Sequence, residues 1–571
     1  MISKITKRHL IGLSLIICQL SFSMMLTSCD DMLDTDSELV EYEKDNQLNQ
    51  PTDSVYSVMG IVNQMQLIAD RLVLLGEVRS DLVTTTGAAS ADLKRLATFD
   101  FAADNVYNRV SDFYAVINNC NYFLAHIDTT LERRGHVLFR NEYAAVKAFR
   151  AWTYLELAKA YGQVPLVVTP VMTEREAESA LHSQRRSLTE ICDYFIADLA
   201  PYADVANPSY GAIGNFSSSY FFIPKKVLLG DLCLWAGHYE DAARWYNAYL
   251  NDKDRPVTMN KSNRICWTSV ADFQHPSDAY SVLNEYLSFI PMESRVFNGT
   301  ITDLDNIFNS TSTNNYFYQL EPSQAIRQLS SSQINCIEYK TPTSTDTVYA
   351  PRTGLTNELL VGDLRLYSNY SLNSSGAQNS YSEYSSTTQT IMKQVSANRI
   401  TTYRNTMVYL RYAEALNRAG LPQSAMAVLK YGLCAENINA YIDSLEQAKA
   451  GDLIKFDESY FTRENTTGIH SRGSGDSQCN AFYVLPQPQN ELATRQDTIN
   501  YQIPLVEDMI IDEMALEGAF EGYRLYDLMR VALRRGDPAY LADPISHRNG
   551  QADDQLRTLL MDQKNWYLPL P

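Results

Sequence analysis

Apolar residues recur at helical spacing along much of the chain. From Ser54 to Leu75, Val55, Val58, Met59, Val62, Met65 and Ile68 form one stripe, and a second helix is expected over Phe113 to Ile127. Between Glu142 and Tyr161 the polar residues Lys147, Arg150, Thr153, Glu156 and Lys159 recur every three positions. They drift around the helix instead of lining one wet face, so this helix is expected to be mostly buried. Gly162 suits its left-handed end, and Val164-Pro165-Leu166 leaves as extended chain. The stretches Val227 to Leu250 and Leu410 to Gly432 share one plan: an apolar helix closes at Ala-Gly, and an Ala five residues beyond the Gly opens a returning helix. This is tetratricopeptide-like helix-turn-helix spacing, in which Gly turns the chain and Ala lets two helices touch. The chain is therefore expected to be mainly α, a helical-repeat scaffold.

The segment Ile511 to Arg530 is the densest in information. Met514, Ala515, Gly518 and Ala519 make a small-residue packing side, while Glu513, Glu517 and Glu521 stand four apart on another face. Gly522 interrupts the helix, and a second one is expected from Tyr526 to Arg535, stopping at Gly536-Asp537-Pro538. Arg524, Arg530, Arg534 and Arg535 follow the acids, and the geometry of a guanidinium fork favours pairing with Glu or Asp on a neighbouring helix. Between residues 251 and 400 the helical period weakens, and Ser, Thr, Asn and Tyr dominate. A large loop-rich insert is expected there.

The N-terminus carries a different signal. Lys4, Lys7 and Arg8 precede an apolar run from Leu10 to Leu26, the layout of a secretory signal peptide, which ends in Leu26-Thr27-Ser28-Cys29. That tetrapeptide resembles a bacterial lipobox, making Cys29 the lipid-attachment residue. An uncleaved membrane anchor is the alternative, for which the run is short. Asp30-Asp31 resembles the tag that directs such lipoproteins to the outer face of the outer membrane, and residues 30 to 52 read as a polar tether.

The formal charge of the 571-residue chain is −19, and loss of Lys4, Lys7 and Arg8 with residues 1–28 takes it to −22. Such a chain does not hold phosphate backbones by counterion release, so no nucleic acid partner is expected. Its 37 Tyr against 20 Phe and 5 Trp favour wet, hydrogen-bonded surfaces, because a phenol joins a flat apolar face to a polar tip. The cysteines are widely spaced without a CxxC, which argues against a disulfide framework and a structural zinc site. No H-E-x-x-H, G-x-S-x-G or phosphate-binding glycine loop occurs, so no catalytic residue, metal or cofactor is assigned. Two carboxylates at the right separation suffice for a glycosidase, and 67 acids leave that reading open.

Phe520-Glu-Gly-Tyr-Arg-Leu-Tyr-Asp-Leu-Met-Arg530 resembles the C-terminal signature of the SusD/RagB family of surface nutrient-binding lipoproteins. The segments Tyr114 to Asn121, Glu142 to Pro170, Gly362-Asp363-Leu364-Arg365 and Leu410 to Asn417 resemble other family segments in the same order, as does the closing Trp566 to Pro571. One departure is Glu513-Met514, where the family commonly has Glu-Arg. The resemblance implies an oligosaccharide-binding surface lipoprotein that serves a SusC-like TonB-dependent transporter, with peptide as the alternative ligand. It implies a signal peptide at 1–28, a lipidated tether at 29–52 and helical parts at 53–250 and 401–571 around a ligand-site region at 251–400. It also places the loop after the first helix near the ligand, which makes Arg79 and Asp81 candidates; capping a helix or pairing with each other is their structural alternative. Trp267, Tyr286, Tyr316, Tyr318 and Tyr367 are the aromatic candidates. Trp267, between Cys266 and Thr268 in a polar stretch, has little helical reason to be there, a place in the core being its alternative.

Overall fold

The computed structural model describes residues 51–571 except 103, 260–284, 298, 310–316, 341, 351–362, 364, 366–370, 373–388, 392, 394–396, 475–481, 491 and 571. Its main helices, in chain order, are α1 (Pro51–Glu77), α2 (Val110–His126), α3 (Arg140–Tyr161), α4 (Leu188–Leu199), α5 (Lys225–Ala236) and α6 (Tyr239–Leu250), followed by α7 (Asn405–Arg418), α8 (Pro422–Lys430), α9 (Arg495–Gly518) and α10 (Arg524–Arg535). Successive helices pack side by side, α2 on α3, α3 on α4, α4 on α5 and α5 on α6. The stack then crosses the insert, with α6 against α7, α7 against both α8 and α9, and α9 against α10. The protein is a mainly α, tetratricopeptide-like helical scaffold with a loop-rich insert.

The two units matched in sequence fold alike. Gly237 at φ 86° and Gly420 at φ 80° take the left-handed conformation that a side chain resists. Within the first unit a Cβ on Gly230 would lie 2.4 Å from the Tyr246 ring, so the ring from α6 packs directly on the backbone of α5. The Tyr246 hydroxyl then donates to Asp231 at 2.6 Å. As its drifting polar residues implied, α3 is buried nearly throughout from Ala144 to Tyr161. Lys147 and Arg150 survive there because both pair with Asp198, at 2.5 and 3.0 Å.

The last long helix begins earlier than periodicity alone implies, which would open it at Leu505. Thr494 and Asp497 form a capping box that starts α9 at Arg495, and the helix continues through Pro504. Downstream, Glu513, Glu517 and Glu521 meet cations from distant parts of the chain. Arg365 bonds Asp363 at 2.6 Å, Glu513 at 2.8 Å and Glu517 at 3.2 Å. Arg404 bonds Glu517 and Glu521, each at 2.7 Å, and Arg472 bonds Glu285 at 2.6 Å. Burial by itself raises the Glu513 carboxyl, but Arg365 and His470 outweigh this and hold it at about 2. The forks after Gly522 pair as expected with other helices: Arg530 with Glu414 at 2.6 Å and Arg535 with Glu507 at 2.8 Å.

Four short strands complete the frame: β1 (Val83–Thr85), β2 (Tyr286–Pro291), β3 (Leu320–Pro322) and β4 (Arg399–Arg404). β1 pairs with β3 and β2 with β4, both antiparallel. Pro291, Thr302 and Ser323 are pinned to α1 and the turn that follows it. Gln66 donates to the Pro291 carbonyl at 2.6 Å, Thr302 donates to Asp70 at 2.6 Å, and the Ser323 amide donates to the Leu82 carbonyl at 2.9 Å.

Candidate functional site

The β2–β4 ribbon carries an aromatic wall. The second half of β2 is buried on both faces, and Phe289 within it is almost fully buried, at 2% exposure. Tyr220, from the Ser217-Ser-Ser-Tyr-Phe-Phe222 run, lies 42% exposed and stacks on Phe289 with centroids 5.6 Å apart and planes 19° from parallel. Phe216 meets Phe289 at 5.0 Å and Tyr286 meets it at 6.0 Å, both edge to face. At the far end of the register, Arg399 lies opposite Pro291, and its guanidinium stands 4.7 Å from the Tyr286 ring centre and 5.3 Å from that of Phe289. Arg399 forms no carboxylate ion pair among the described residues. Burial raises the Tyr286 phenol above its ordinary value, with Arg399 opposing, so this hydroxyl stays protonated and able to donate.

A half-exposed phenol ring fixed parallel to a buried ring offers a rigid flat face, and rings hold their orientation with little entropy to lose. The Arg399 guanidinium, close to Tyr286 and Phe289, supplies several donors in one plane. Together they suit a ligand with one flat C–H face and a rim of oxygens.

Arg79, Asp81 and Tyr318 are the other sequence candidates among the described residues. Arg79 is fully buried: it donates to the Leu75 carbonyl at 2.8 Å, to the Trp566 carbonyl at 2.9 Å and to the Tyr526 hydroxyl at 3.2 Å. Asp81 is also buried, clasped by Arg524 at 2.7 and 2.8 Å, and so does not pair with Arg79. Both tie the end of α1 to the C-terminal helices. Tyr318 sits just before β3 at φ 53°, a conformation costing a non-glycine residue about 1 kcal/mol or more. It is held there by Thr86, whose hydroxyl donates to its carbonyl, and its own hydroxyl donates to Glu321. Cys29, Trp267, Tyr316 and Tyr367 lie outside the described residues. No cluster of His, Cys, Asp and Glu able to hold a metal occurs among the described residues.

Tyr220 and Arg399 were not among the sequence candidates. The signal for Tyr220 was a Phe-Tyr-Phe-Phe grouping inside a serine run, but it lies before the insert, where a fold-blind reading expects core. Arg399 has no local motif at all, because its role depends on the pairing of β2 with β4.

No family model matches this chain, and no curated protein does. Solved structures do. A SusD superfamily protein from Bacteroides vulgatus superposes with a TM-score of 0.57 at 14% identity, covering 91% of this chain and 96% of that one. A SusD superfamily protein from Bacteroides fragilis gives 0.55 at 16% identity, with 91% and 95% covered. A SusD-like carbohydrate binding protein from the same species gives 0.51 at 17% identity, with 85% and 87% covered. Identity this low transmits architecture and not chemistry, and across 91% of its length the chain has the SusD-like fold.

Proposed function

We propose that this protein is a non-catalytic, cell-surface oligosaccharide-binding lipoprotein, anchored to the outer membrane through Cys29, that captures glycan for a SusC-like TonB-dependent transporter. The observation that carries the binding reading is the half-exposed Tyr220 stacked on buried Phe289 beside Arg399. A sugar ring laid on Tyr220 buries its C–H face, and Arg399 and the Tyr286 hydroxyl reach its oxygens. The SusD-like fold, shared with a structure described as a carbohydrate binding protein, supports the same ligand class. The lipobox-like Leu26 to Cys29 supports the anchor. Trp267, Tyr316, Tyr318 and Tyr367 stand as further ligand contacts in this proposal.

The test is isothermal titration against a panel of neutral oligosaccharides and peptides, with Tyr220→Ala alongside. Loss of a stacking ring costs about 1–3 kcal/mol in comparable contacts, so the variant is expected to bind the recognised oligosaccharide about ten- to a hundredfold more weakly. Its melting temperature should hold, since the ring is half exposed. Binding of peptides alone, unchanged affinity in Tyr220→Ala, or turnover of the bound sugar by purified protein would each remove the reading.

A further inference from the structure

Two adjoining cavities of about 470 and 670 Å³ open where the C-terminal segment crosses the end of α3, and both are lined by Gln163, Lys564 and Tyr567. The smaller also takes in Phe99 and Phe101, and the larger takes in Trp235 and Tyr239. Each cavity of this trough is therefore lined by aromatic rings, with Tyr567 common to both. Phe99 is held there at some expense. It sits at φ 57°, directly after the end of a short helix at Ala97–Thr98, in the left-handed position that glycine ordinarily fills. A strained aromatic kept at a cavity wall is the kind of feature associated with ligand sites.

The charge of the lining is the decisive feature. The chain has 67 acids and a net charge of −19, yet the residues lining these two cavities include neither Asp nor Glu. They do include Arg185, Arg418, Arg530, Arg534 and Lys564. Arg418 and Arg530 are held from behind by Glu507 and Glu414, at 2.8 and 2.6 Å. Arg185 and Lys564 are exposed and form no ion pair among the described residues. On an acidic protein, a trough without carboxylates and with two unneutralised cations attracts anions and repels little.

We infer that this trough is a second binding site, and that it takes an acidic oligosaccharide, a chain of hexuronate-type sugars. Aromatic rings in both cavities match the repeated C–H faces of such a chain. The side-chain amides of Gln163, Gln563 and Asn565, with Ser187 and Thr189, match its hydroxyls, and Lys564 and Arg185 take its carboxylates. An acidic peptide would draw on the same charge but would leave the stacked rings without matching faces. The trough shares no residue with the wall around Tyr220, so the two sites stand or fall separately.

The experiment is titration of the intact protein with tetragalacturonate, with maltotetraose as a neutral control and tetraglutamate as an acidic peptide. Tetragalacturonate should bind with an affinity that falls as salt is raised, whereas the two controls should not bind in the trough. The double variant Lys564→Gln/Arg185→Gln removes two exposed cations and should weaken tetragalacturonate by about tenfold with an unchanged melting curve. Trp235→Phe should abolish any ligand-induced change in tryptophan emission from this end of the trough. Tyr220→Ala should leave tetragalacturonate affinity as it was. Absence of tetragalacturonate binding, full affinity in the double variant, equal binding of tetraglutamate, or loss of uronate binding in Tyr220→Ala would each overturn the assignment.

Discussion

At the scale of single residues, the interior holds an unusual amount of charge, and most of it is compensated. Glu77 is one of the exceptions. Its carboxylate accepts from the Gly522 amide at 2.8 Å, while its other oxygen has no hydrogen-bond partner among the described residues. Burial lifts this carboxyl to about 8, with Asp81 and Glu521 adding to the shift and Lys393 opposing it. The folded protein thus holds a proton that the unfolded chain releases near 4.5. The stability this contributes is complete below 4.5 and is lost as the pH rises through 8, at about 1.4 kcal/mol per pH unit in between. Glu77→Gln keeps the acceptor for Gly522 and removes the titration. Urea midpoints of parent and variant should coincide near pH 4, with the variant pulling ahead by pH 9; curves that stay parallel across that range would refute the assignment of the proton to Glu77.

At the scale of elements, the end of α1 and the turn between α9 and α10 meet at backbone distance. A Cβ on Gly76 would lie 1.8 Å from the Gly522 carbonyl oxygen, and one on Gly522, itself at φ 92°, would lie 2.1 Å from the Leu72 carbonyl. Neither obstacle is a movable side-chain tip. Gly76→Ala is therefore expected to destabilise by about 3 kcal/mol or more, read as a lower melting temperature, while Gly60→Ala, which meets nothing within 4 Å, should not. The helices were legible in the sequence because their signals are local: the apolar stripe of α1, the Gly237 and Gly420 turns, the acids of α9 at intervals of four. The expected Arg forks were legible as a class, since clustered Arg beside clustered Glu has few other uses. Their partners were not. That Arg524 takes Asp81 and leaves Arg79 to the Trp566 carbonyl depends on contacts across more than 400 positions. The wall around Tyr220 was hidden for the same reason, since Phe216 and Tyr220 join Tyr286 and Arg399 only through the folded ribbon.

At the scale of the whole molecule, a protein that binds without transforming cannot move a nutrient across a membrane, and the proposed function therefore requires a conduit. Cys29→Ala is expected to shift the protein from the membrane pellet to the soluble fraction. Mild-detergent extraction of the unaltered protein should recover a β-barrel partner with it, through an interface above the roughly 1,000 Å² typical of specific association. Retention in the pellet after Cys29→Ala would make the apolar run itself the anchor. Recovery of the lone protein, even after crosslinking, would leave a free surface binder.

The meeting of Glu285 and Arg404 on α9 has a further consequence. The Asn405 amide donates to the Glu285 carbonyl at 3.0 Å, and Arg404 reaches the Glu285 carboxylate at 3.4 Å. The two ends of a stretch of more than a hundred residues are thus fastened to each other and to one helix. Because the cost of closing a loop grows only with the logarithm of its length, a fastened neck lets the enclosed chain lengthen, shorten or change composition at little expense to the frame. The same architecture can then present different surfaces wherever the enclosed chain lies away from its own ties to the helices, at Pro291, Thr302, Ser323 and Arg365.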